Sequence, residues 1–186
     1  MPAPSVSAFP DRASRLLRWL PWACALVLLA VPAVAMQFTA DVEWNAFDFL
    51  VFGTMLALAC GLNELACRLS GSLVYRLGAA VAIGTGFLVT WANLAVGIIG
   101  DEGEAVNLAF FGVLALGLVG TAVVRARARG MAGLLVLMAI AQVGVSAVAW
   151  LAGLGETPPV AAVFVLGWLV AAWLFLVSGR TVGGEA

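Results

Sequence analysis

The chain has 186 residues, 64% of them hydrophobic and only 10% charged, with a formal net charge of −1 and a mean hydropathy of +1.11. So little polar surface cannot cover a water-soluble globule of this size, which places the chain in lipid. A near-neutral balance with basic residues in short groups excludes a general electrostatic role with nucleic acid, and leaves the lipid bilayer, a second copy or another membrane protein as the expected partners.

Apolar runs recur along the whole chain, at about 19–37, 47–67, 73–100, 106–124, 131–153 and 160–178. Crossing a hydrocarbon core of about 30 Å takes roughly 20 helical residues, so each run is one span and none holds two. Open strands would leave backbone groups unpaired in lipid. The predicted fold is therefore all-α: a polytopic membrane protein, a six-transmembrane-helix bundle with short loops, forming a single membrane domain over 1–186.

The first run follows Arg12, Arg15 and Arg18. That order, with Ala33, Val34 and Ala35 ahead of Met36, also fits a secretory signal peptide, but the apolar stretch exceeds the usual 7–15 residues of such a segment. A first span is the expected reading, and either reading starts the second helix outside. Before that helix, Asn45 followed three residues later by Asp48 supplies a cap, with an acid at the positive end of the helix dipole.

Near the end of the second run, Glu64 precedes Arg68 by four residues on one helical stripe, the favourable order for an ion pair. Arg76, across a short turn, is expected to join them in a structural charge cluster of Glu64, Arg68 and Arg76. It is also expected to reach the cytoplasmic headgroups from the first turn of an over-long third run. Gly78, Ala82 and Gly86 then form a small-residue stripe that lets another helix approach closely.

All nine basic residues are arginine, and they fall into four groups: the three before the first run, Arg68 and Arg76, the trio Arg125, Arg127 and Arg129, and Arg180. The acids Asp41, Glu43 and Asp48, then Asp101, Glu102 and Glu104, then Glu156, alternate with them. Because basic loops stay on the cytoplasmic side, one six-span threading places every arginine inside, with both termini cytoplasmic. The arginine-only basic set and the Ala, Val, Gly and Leu excess suggest a bacterial inner membrane. Trp44, Trp91 and Trp150 then lie near the outer interface and Trp19, Trp22 and Trp173 near the inner one, while Trp168 falls deep in a span. Pro158 and Pro159 suit the start of the last helix.

Polar residues inside spans need a reason to be there. Asp48, Asn93 and Asn107 lie at similar depth near the outer face and form a candidate polar pocket, which with Asp101, Glu102 and Glu104 could collect a cation or proton. The competing reading makes them caps and interhelical hydrogen bonds, each worth about 1 kcal/mol, and this structural reading is preferred. Gln142, with Ser146 one turn on, is expected to hydrogen-bond to a neighbouring helix.

No catalytic constellation is visible, so no enzyme activity is expected. The chain has no histidine, which removes the commonest zinc or haem ligand and the usual proton carrier. Cys60 and Cys67 lie seven apart on one helix, about 10 Å along its axis, too far for a disulfide. With Met55 they offer a conceivable Cu(I) set, but soft residues filling an apolar core are far commoner. No metal site or cofactor is expected.

The run Trp91-Ala92-Asn93-Leu94-Ala95-Val96-Gly97-Ile98-Ile99-Gly100, the acidic turn, Asn107-Leu108, Phe111-Gly112-Val113-Leu114-Ala115 and the arginine turn up to Met131 resemble a family of small, uncharacterised bacterial inner-membrane proteins. The resemblance covers about 91–153, with weaker support from 44–64. Relatives often read Ser-Glu-Asp-Asn-Pro-Ala-Asn-Leu at the acidic turn, where this chain has Asp101-Glu102-Gly103-Glu104-Ala105-Val106-Asn107-Leu108. The resemblance implies the same membrane architecture and no particular activity. The expected function is thus an integral membrane protein acting through helix packing, as a subunit or accessory factor. The alternative is a small carrier or channel for a proton, cation or small solute at the Asp48, Asn93 and Asn107 region.

Overall fold

The computed structural model describes residues 11–100, 103–154 and 159–181, with side chains described for 19–100, 103–154, 159 and 161–180. The side chains of Arg12, Arg15 and Arg18, and residues Asp101, Glu102, Glu156 and Pro158, lie outside the described residues.

Among the described residues the regular structure is helical: α1 Asp11–Ala35, α2 Ala46–Leu69, α3 Leu73–Ala95, α4 Leu108–Val123, α5 Ala128–Leu151 and α6 Pro159–Thr181, with a 3-10 turn at Ala105–Asn107 leading into α4. The protein is an all-α, polytopic membrane protein. Five of the helices, α2 to α6, are long and apolar enough to cross a membrane. In α1 the stretch with described side chains, Trp19–Ala35, is apolar as well.

The residues group into two compact units that divide between Glu64 and Leu65. In the first, Leu29 lies against Gly53 and the Cys60 thiol against the Pro21 carbonyl, so α1 and α2 run antiparallel. Trp44 closes the connection, stacking edge-on against Phe49 and Phe52 with ring centroids 5.3 and 5.4 Å away.

In the second unit α6 packs between α3 and α5, α5 packs also on α4, and α3 touches α4 more lightly, giving the ring order α3, α6, α5, α4. In lipid no water is released when apolar helices meet, so close van der Waals packing must hold them together. Glycines make that approach close. The Gly78 position on α3 faces Leu174 and Phe175 of α6, with a Cβ there coming to 3.2 Å from each, and Gly167 of α6 lies directly against Thr85 of α3. On the other side Gly117 and Gly120 of α4 lie against Met138 and Leu134 of α5. The Gly78-Ala82-Gly86 stripe therefore faces α6.

The third run does not stay helical to its end. α3 stops at Ala95, and Gly97 and Gly100 take φ of +73° and +61°, a left-handed conformation that glycine adopts without steric cost. Between them Ile98 and Ile99 turn inward and are almost wholly buried. The apolar character of 96–99 thus serves a tucked turn at the end of the bundle, where a sequence reading extends the helix.

Candidate functional site

The start of α2 shows how Asp48 is held. Asn45 Oδ1 accepts from the backbone N–H of Phe47 at 2.7 Å and of Asp48 at 3.2 Å, while Asp48 Oδ2 accepts from the Asn45 N–H at 2.8 Å. This reciprocal capping box satisfies donors that the first helical turn cannot use internally. The carboxylate is committed to the N-terminus of its own helix, in the first unit, whereas Asn93 and Asn107 belong to the second.

Asn107 ends the 3-10 turn and is 4% exposed. Its Oδ1 accepts from the N–H groups of Ile98 at 3.1 Å and Ile99 at 3.0 Å, and its Nδ2 donates to the Ile99 carbonyl at 3.1 Å. A tucked turn of this kind carries backbone groups into an apolar interior where they must find partners. One side-chain amide supplies three of those bonds, which is why a polar residue opens an otherwise apolar fourth run.

Deeper in the bundle, Gln142 on α5 is fully buried and its Oε1 accepts from Trp168 Nε1 on α6 at 2.7 Å. This is the helix–helix hydrogen bond expected of Gln142. The other end of the indole lies against Gly86 of α3, where a Cβ would come to 3.5 Å from Trp168 Cη2. Trp168 therefore joins three helices. The threonines need no such partner: Thr85, Thr90 and Thr121 each donate to the carbonyl one turn back, at 2.7 to 2.8 Å.

Asn93 is the exception. It is 4% exposed, two residues from the end of α3, and among the described residues neither Oδ1 nor Nδ2 has a hydrogen-bond partner; the Gln142 Nε2 is likewise unpaired. An unpaired amide in an apolar interior costs roughly 1–3 kcal/mol by protein mutational data. The structure thus leaves one of the three residues of the candidate pocket capping a helix, one clamping a turn, and one with free donor and acceptor groups.

Toward the other end of the spans, Arg76 Nε donates to the Ser70 carbonyl at 2.8 Å and Nη2 to the Cys67 carbonyl at 3.0 Å. The guanidinium caps the carbonyl end of α2, a favourable place for a cation. Glu64 and Arg68 lie one turn apart on α2. Ser72 Oγ caps α3 by accepting from the Tyr75 N–H at 3.4 Å. The cysteines are all free thiols, with Cys60 buried and Cys24 exposed. Among the described residues no three His, Cys, Asp or Glu side chains stand together as a metal site.

The pairings of Trp168 with Gln142 and of Asn107 with the turn at Ile98 and Ile99 were not readable in advance. Gln142 and Asn107 stood out as polar residues in apolar runs, but their partners were signalled only by a lone tryptophan deep in a span and two glycines three residues apart. No protein family, curated protein or solved structure matches the chain. Its functional reading rests on its own residues.

Proposed function

We propose that this integral membrane protein works through helix packing, as a subunit or accessory factor of a larger membrane assembly or of a homo-oligomer. The reading extends to a bacterial inner membrane, six spans and both termini in the cytoplasm. The observation that carries it is the surface of the spans. Between 22% and 39% of each most apolar window is buried, which leaves broad helix faces for other helices, while two of the three candidate pocket side chains are engaged with backbone. On α6 the exposed residues Val163, Leu166, Val170 and Trp173 follow the alternating three- and four-residue spacing of a helix-pairing seam. Photo-crosslinkers placed at Leu166 and Val170 in native membranes should yield a discrete protein adduct, of this chain or of one partner. Adducts with lipid alone would overturn the reading.

A second reading, a small carrier or channel for a proton, cation or small solute, is favoured by Asn93, whose buried amide has groups to offer a polar guest. Its test is flux in reconstituted vesicles. Ion or proton movement above that of empty vesicles, lost in Asn93→Leu or Asp48→Asn, would establish it in place of the packing reading.

A further inference from the structure

We propose that the groove between α4 and α5 seats an acyl chain of an anionic phospholipid, with the lipid phosphate on the arginines of the turn joining those helices. The groove is open, has a volume of about 480 Å³ and is lined almost wholly by apolar residues, among them Gly120, Val123, Gly130, Gly133 and Leu137, with Arg129 as its charged member. From Arg129 to Leu137 it follows α5 for about 12 Å, most of the roughly 15 Å depth of one hydrocarbon leaflet. Gly133 opens it: nothing lies within 4 Å of where its Cβ would be.

The polar end has the complementary charge. Arg125, Arg127 and Arg129 are exposed, and none of their guanidinium groups makes a hydrogen bond or ion pair with another described residue. Neither α4 nor α5 contains an acidic residue. The turn takes an uncommon conformation, with φ of +53° at Arg125 and +52° at Ala126, which side-chain-bearing residues adopt only when their surroundings enforce it. Tyr75 Oη enforces it by donating to the Ala126 carbonyl at 2.7 Å, and the Ala126 N–H donates to the Thr121 carbonyl at 3.0 Å. The stem of Arg129 lies against Gly179 of α6, where a Cβ would come to 3.2 Å from Arg129 Cγ. One guanidinium thus lines the apolar groove, with two more exposed on the turn that leads into it, the arrangement that recognises an anionic headgroup attached to a chain. A second copy is a poor occupant. Copies in one membrane share an orientation, so pairing this face about a two-fold axis would bring two arginine turns together.

The test is equilibrium binding of a fluorescent-chain phosphatidylglycerol to the full chain in detergent micelles, competed by dioleoyl phosphatidylglycerol, dioleoyl phosphatidylcholine or inorganic phosphate. Phosphatidylglycerol should compete best, with its advantage over phosphatidylcholine falling about five-fold for each Arg→Gln change at 125, 127 and 129. Gly133→Leu should weaken binding of both lipids while helical content and melting temperature are kept. Leu137→Phe, which narrows the groove from its side, gives the same readout if Gly133→Leu does not fold. The proposal is overturned if both lipids compete equally, if phosphate alone competes as well as the lipid, or if neither groove variant weakens binding. It is also overturned if the wild type is a dimer that Gly133→Leu dissociates.

Discussion

The indole N–H of Trp168 and the amide oxygen of Gln142 meet at 2.7 Å across α5 and α6, nine residues from the end of α5 at Leu151 and from the start of α6 at Pro159. The two helices run in opposite directions, so the bond forms only at one axial register of the hairpin. Hydrogen bonds between membrane helices average about 0.6 kcal/mol and reach about 1.7. Trp168→Phe and Gln142→Leu should each lower the melting temperature in detergent. The double variant should lose less than the sum, with a coupling of about 1 kcal/mol. Strict additivity would mean the bond contributes nothing.

Asn107 offers a sharper test, because one side chain serves three backbone groups. Asn107→Leu removes all three bonds, and hydrogen exchange at the Ile98 and Ile99 amides should accelerate at least tenfold, as expected for a loss above about 1.4 kcal/mol. Asn107→Asp keeps the acceptor for both N–H groups and should fall between. Unchanged exchange in Asn107→Leu would show that buried isoleucines alone hold the turn.

The capping box at α2 predicts a graded series. Asn45→Ala should cost about 1 kcal/mol of stability and Asp48→Ala a similar amount, whereas Asp48→Gln should retain part of it through its side-chain oxygen. Thermal melts of the purified protein decide this. A neutral Asp48→Ala would release the carboxylate from its capping role and return it to the candidate pocket.

Much of this arrangement was readable from the sequence, and the reasons differ by residue. The capping box was legible because its two members lie three residues apart, and the start of α6 at Pro159 because proline tolerates few helical positions. The length of α3 was not, since an apolar run has the same composition whether it spans a membrane or folds back as a buried turn. Gly97 and Gly100 carried the distinction. Asn93 and Asn107 share a residue type and similar depth, yet one is satisfied and the other is not. That difference depends on the tucked turn, which hydropathy does not encode.

The arginine distribution predicts the side of the membrane on which each connection lies. In a cysteine-free background, Gly103→Cys should react with an impermeant thiol reagent from outside and Ala128→Cys only after the inner face is opened. The reverse pattern would invert the threading.

At the C-terminal end of α2, Glu64→Ala should destabilise the protein more than Glu64→Ala combined with Arg68→Ala, because the single change strands a cation. Arg76→Ala should act independently of both through loss of the helix cap. Coupling of Arg76 to Glu64 would instead place all three in one cluster.

The ring order of the second unit also sets a timetable for biogenesis. α6 is synthesised after α3, α4 and α5, yet it lies between α3 and α5, while α3 and α4 touch only lightly. Until it arrives, the Gly78 and Gly86 face of α3 has no Phe175 or Trp168 to receive, and Gln142 has no indole to bond. Until α6 is inserted, the nascent chain therefore lies in the bilayer with the Gln142 amide on α5 uncovered. A ribosome stalled beyond Leu151 would leave an unfinished unit, its α3 and α5 joined chiefly through α4.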